Sequence, residues 1–244
     1  MLTLLRNTLR HHVERGRYET WSAFPLVTSS EEPLGAFGLL VGFDELRLPR
    51  ERAEAPHPRE EGEVVVYVYK GALAQEDSTG RSGVVHTGEF QHCIISRSIH
   101  YKENNVSRGD RAQVFRISLN PTQVGLDSAR EQKLFPSAQR RNVLCVVASP
   151  DGRKGSLPIL QDAIVYSSVL DPGHHLVHEL SPGRSAWLHV IEGEITTQDL
   201  VLTDGDGVGL TAESSVSFTA HKHTEILLVD LGPVRPPFQN AAVK

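Results

Sequence analysis

Short apolar runs, broken by Gly, Pro, Asp or Asn, follow one another along most of the chain. GAFGLLVGFDEL (Gly35–Leu46), GEVVVYVYKGALAQEDSTG (Gly62–Gly80), FQHCIIS (Phe90–Ser96) and AQVFRISL (Ala112–Leu119) are rich in β-branched and aromatic residues and short enough to be strands. Asp77–Gly80 (DSTG) predicts a hairpin turn, since Asp and Gly tolerate the left-handed backbone such turns need. Strands recurring every ~8–12 residues with turn signals between them predict a sandwich or barrel rather than alternating strands and helices.

The pattern lapses at Pro121–Asn142, which is polar, mixed in charge and without apolar periodicity. It reads as a linker with one helical turn around Ser128–Lys133. Strands then resume through VLCVVAS, AIVYSSVL, HHLVHEL, SAWLHVIEGEITTQ, DLVLTDGDGVGL, SSVSFTA and EILLVDL. In Ser185–Ile195, Trp187, His189 and Ile191 alternate with Ala186, Leu188 and Val190 before a Gly turn. EVVVYVYKGAL in the first half has the same layout, which predicts a duplicated β unit.

With 244 residues, 39% hydrophobic and 23% charged, the chain can form two domains of ~100–150 residues, each with its own core. A net charge of −5 without a basic stripe argues against nucleic-acid or anionic-membrane partners. No apolar run is long enough to span a bilayer. The Arg-containing, acid-poor N-terminus faintly resembles a transit peptide, but it lacks a secretory cleavage pattern and reads better as the first ordered segment. Cys93 and Cys145 are far apart and not in a C-x-x-C spacing, so a reduced, cytoplasmic setting is expected. No P-loop, dinucleotide fingerprint or nucleophile elbow is present.

PHPREEGEVVVYVYKG (Pro56–Gly71), EDSTG, TGEFQ, SIHYKENN, ISLNP, ASPDGRKGSLPILQD and EILLVDL, with TWSAF near the start, resemble the pirin family over roughly Arg17 to Pro233. The resemblance implies an all-β fold of two tandem cupin-type barrels: residues 1–125 carrying the site, a linker at 126–142, and a second barrel at 143–244. It also implies a first-barrel site of three histidines and one glutamate around a divalent ion, arranged as His-x-His and His-x-Glu. Aligned without gaps, the four positions are His57, Arg59, Tyr101 and Glu103, so two match and two do not. A one-residue gap would bring in His100 but place Lys102 where the glutamate belongs.

Strand parity lets Tyr101 and Glu103 face inward together, or His100 and Lys102, but not a mixture. Glu63 is counted in the same parity as His57 and Arg59. Arg59 keeps a fixed charge and cannot ligate; it could instead pair with Glu103 in a bidentate fork. A tyrosine is a poor ligand for a plain divalent ion near neutral pH. The expectation is therefore a first barrel with no metal or a weakly bound one, iron foremost. Its function would be binding of a small molecule or a protein partner. Two alternatives stand beside it: a metal-dependent oxygenase resembling quercetin 2,3-dioxygenase, with His57 and Glu103 as ligands and Glu103 doubling as base, and a structural interaction module.

The other candidates read blandly. His174, His175 and His178 are expected at the surface or rim, and His221 and His223 in solvent. Cys93 is expected in the core beside Ile95. DGDGVG (Asp204–Gly209) lacks an EF-hand's oxygen pattern and reads as a turn.

Overall fold

A computed structural model describes residues 1–15, 18–24, 35–49, 56–57, 62–96, 99, 101–107, 111–120 and 125–234. Among them are four sheets, two of seven strands and two of four. The first large sheet runs Ala129–Leu134, Glu89–Ile95, Gly62–Lys70, Arg111–Leu119, Leu40–Pro49, Tyr18–Ser22, His11–Arg15. Its small companion runs Pro56–His57, Tyr101–Asn105, Ala72–Asp77, Ser82–His86.

The second half repeats the plan. Its large sheet runs Leu2–Leu5, Gly207–Thr211, Ser185–Glu192, Thr224–Leu231, Ala163–Leu170, Cys145–Ser149, Leu157–Pro158. The small one runs His175–Glu179, Ser215–Ala220, Glu194–Thr197, Leu200–Thr203.

The central strands of each large sheet are buried on both faces, which explains runs too uniformly apolar for half-buried strands. Val64, Val66 and Val68 join Leu46, Leu48, Val114, Leu73, Val85 and Tyr101 inside the first barrel. The alternate residues Val65 and Tyr67, with Phe43, Phe115 and Ile117, face the other way and meet Val147, Val165, Trp187, Leu227 and Val229 of the second half. Ala186, Leu188 and Val190 line the second barrel's interior with Val216, Phe218, Ile226 and Leu228. The alternation read in Ser185–Ile195 thus separates barrel interior from inter-barrel seam, not interior from solvent.

Two segments depart from the sequence reading. Ala129–Leu134 is an edge strand paired with Glu89–Ile95, and the helical turn lies further on, at Ser137–Arg140. Its side chains are mostly exposed, so no apolar alternation marks it; backbone pairing alone makes it a strand. Leu2–Leu5 pairs with Gly207–Thr211 and so belongs to the second large sheet, while His11–Arg15 returns to the first. The chain's first residues therefore cross between the barrels. The turn read at Asp204–Gly209 anchors this crossing: Asp206 accepts the backbone N–H of Asn7 at 2.8 Å and pairs with Arg6 Nη1 at 2.8 Å.

Candidate functional site in the first barrel

Tyr101–Asn105 lies between two strands, with Tyr101 opposite His57 on one side and Asp77 on the other. Tyr101, Glu103 and Asn105 are buried, Lys102 is exposed and Asn104 half-buried. This is the inward set that parity allowed for the ungapped reading. His57 contributes its backbone position to the register. Arg59 and His100 lie outside the described residues.

Glu103 is the centre of a polar group inside the barrel. Its Oε2 forms an ion pair with the Arg116 guanidinium, both side chains being almost fully enclosed. Gln75 Nε2 donates to Glu103 Oε1 at 3.2 Å. Arg116 stands opposite Val66 and Asp44 and shares its strand face with Val114, so it points into the same cavity. Sequence reading offered Arg59 as a cation that could fork onto Glu103; among the described residues the guanidinium that meets this carboxylate comes from Arg116. A signal was available: an arginine at an inward position of AQVFRISL must find an interior anion, because burying it unpaired is prohibitive.

Beneath this group, Arg130 lies 5.5 Å from the centre of the Tyr101 ring and bonds Asp77 Oδ2 at 2.7 Å. Burial raises the Asp77 pKa, but hydrogen bonds from the Thr79 hydroxyl and the Thr79 and Arg81 N–H groups, with the Arg130 charge, outweigh it and hold the carboxyl below its usual range. The Asp77–Gly80 turn forms as read, with this carboxylate capping it.

Glu63 does not belong to the group. Its carboxylate faces the seam, where it meets His92 Nε2 at 2.7 Å and accepts the N–H groups of Leu160 at 2.6 Å and Gln161 at 2.9 Å. The parity count from His57 failed because Pro56–His57 and Gly62–Lys70 are separate strands in different sheets, and parity holds only along one unbroken strand.

Among the described residues the second barrel carries no matching set. Val216 lies opposite His178 as Tyr101 lies opposite His57, but Val216 and Phe218 fill the corresponding wall with hydrocarbon. His174 and His175 are exposed as expected. His178 is half-buried instead, held by Asp230 at 2.8 Å, which also binds Arg184 Nε at 2.5 Å. His221 and His223 are exposed, and Cys93 packs in the first core. Both cysteines are buried.

The family follows from matches on both halves. Residues 10–118 match the family model described as pirin, and residues 146–231 match that described as quercetinase C-terminal cupin domain. The chain belongs to the pirin family. It is 28% identical over 234 residues to the quercetin 2,3-dioxygenase of Escherichia coli strain K12, an alignment covering 96% of this chain and 100% of that one. A pirin-like protein of Caulobacter vibrioides is 28% identical over 176 residues, 72% of this chain and 75% of its own length. Among solved structures, the bacterial pirin YhhW of Escherichia coli in complex with nickel(II) superposes with a TM-score of 0.87 at 27% identity, covering 96% of this chain and 100% of that one. The bicupin fold is shared with these pirins, and at least one of them binds a divalent ion.

The fit of such an ion to this chain can be tested on its own residues. Among the described residues no group of three or more His, Cys, Asp or Glu stands together as a metal would require. Of the family ligand positions, Tyr101 and Glu103 have described side chains, and Glu103 is already paired with Arg116. A carboxylate engaged by a permanent cation is a poor donor to a second one. Of these two positions, Tyr101 offers a phenol, a poor ligand for a plain divalent ion near neutral pH, and Glu103 offers a carboxylate engaged by Arg116.

Proposed function

We propose that this pirin is a binding protein rather than a metal-dependent dioxygenase, its first barrel taking a small organic molecule or a protein partner with no metal or only a weakly held one. The observation that carries this reading is the Arg116–Glu103 pair inside the barrel, where the family resemblance calls for a carboxylate ligand. Arg59 and Tyr101 at two of the other three family ligand positions in the sequence support it.

Elemental analysis of purified protein, alongside Arg116→Met, tests the reading. Iron, nickel and manganese should be far below stoichiometric in the wild type and should rise in Arg116→Met, whose Glu103 is released. Near-stoichiometric metal in the wild type, lost on His57→Ala, overturns it.

The rival reading, a quercetin 2,3-dioxygenase-like oxygenase with His57 and Glu103 holding iron, is favoured by the end-to-end similarity to the Escherichia coli enzyme. Incubation with quercetin and iron under air discriminates. Under our reading the flavonol absorbance falls no faster with wild type than with His57→Ala.

A further inference from the structure

Away from Glu103, four buried nitrogen atoms on elements that line the seam have no hydrogen-bond partner among the described residues: Trp187 Nε1, both ring nitrogens of His189, and Arg10 Nε. Trp187 and His189 are 0% and 1% exposed, and Arg10 5%. Phe43 and its strand link the three residues. Trp187 and His189 project from the same face of Ser185–Glu192, and the Phe43 ring packs against both, with centroids 6.4 and 4.4 Å away. Arg10 binds Glu45 Oε2 at 2.8 Å, two residues along the strand from Phe43 on the same face.

An imidazole with neither nitrogen satisfied is expensive to bury, and an indole N–H and a guanidinium Nε–H add to the penalty. Native proteins resolve such clusters with ordered water, provided two to four polar groups are in reach. We propose that the seam between the barrels binds at least one ordered water, held by Trp187, His189 and Arg10.

Neutral His189 offers one N–H and one bare nitrogen, so the group presents three donors and one acceptor. Water supplies both complements. An anion would satisfy the donors but not the bare nitrogen, and it would bring a second negative charge beside Glu45, which already matches Arg10, among the rings of Phe24, Phe37, Phe43 and Phe115. The bound water would tie the crossing N-terminal segment, through Arg10, to the second barrel.

A high-resolution crystal structure, with a second crystal soaked in bromide, is the test. The expected result is solvent density within hydrogen-bond distance of at least two of the three side chains, without bromide anomalous signal. Magnetic relaxation dispersion in solution should show one fewer long-lived water in Trp187→Phe or His189→Phe than in wild type. Absence of density there sinks the proposal, as does an unchanged dispersion amplitude in folded variants; an anomalous peak replaces it with an anion site. Should both variants fail to fold, the wild-type crystals decide by themselves.

Discussion

Gln161 donates its backbone N–H to Glu63 Oε2 at 2.9 Å, so a carboxylate on a first-barrel strand closes a loop of the second barrel. The same carboxylate takes the Leu160 N–H and the His92 ring. Charge-assisted bonds of this kind contribute about 1.5–3 kcal/mol each. Glu63→Gln keeps the shape but loses the charge and turns a donor toward one of the N–H groups. We expect a loss of about 1–3 kcal/mol, read as a lower urea midpoint, whereas Glu179→Gln, at an exposed position, should leave the midpoint in place.

Breaking the Arg116–Glu103 pair from one side strands a buried charge. Arg116→Met and Glu103→Gln should each destabilise by about 3–5 kcal/mol. The double variant, which buries neither charge, should recover most of that loss. A denaturation double-mutant cycle measures this, and simple additivity would mean that the two residues do not depend on one another.

His189 gives the protein an acid-sensitive seam. Burial first, and the nearby Arg10 charge second, hold its pKa well below the ordinary 6.5. The folded state therefore keeps the ring neutral while the unfolded chain takes up a proton as pH drops below about 6.5. The unfolded state then binds more protons, so this contribution to stability is complete above that pH and is lost as pH falls toward the folded-state value, by up to ~1.4 kcal/mol per pH unit. His189→Phe should flatten the stability profile between pH 6.5 and 4.5 relative to wild type; parallel profiles would contradict the assignment.

Gly207 is required by a close approach. A Cβ built on it would lie 2.4 Å from Trp187 Cζ2. Gly207→Ala should cost about 1–3 kcal/mol through overpacking and shift the tryptophan emission. Gly83→Ala, where a Cβ meets nothing within 4 Å, is the matched control and should be close to neutral.

Much of the architecture was legible because strand signals are local. The β-branched runs, the Asp77–Gly80 turn and the matching layout of the two halves each depend on neighbouring residues, and the inward pairing of Tyr101 with Glu103 follows from a period of two along one strand. Ala129–Leu134 escaped because an exposed edge strand leaves no apolar alternation. Glu63 was misplaced because parity was carried from one strand into another. Arg116 was overlooked although its inward position could be read, since nothing local says which carboxylate an interior cation will meet.

By itself the sequence determined an all-β chain with two similarly laid-out halves, and its resemblance to the pirin family set His57, Arg59, Tyr101 and Glu103 at that family's ligand positions. Only the tertiary structure decided that Arg116 neutralises Glu103, that Glu63 locks the seam, and that the first strand crosses into the second barrel. The reason is range. Backbone preference and side-chain alternation act over a few residues, whereas partners 13 residues apart (Glu103 and Arg116), 98 apart (Glu63 and Gln161) or 206 apart (Thr3 and Gly209) are chosen by which sheets pack together.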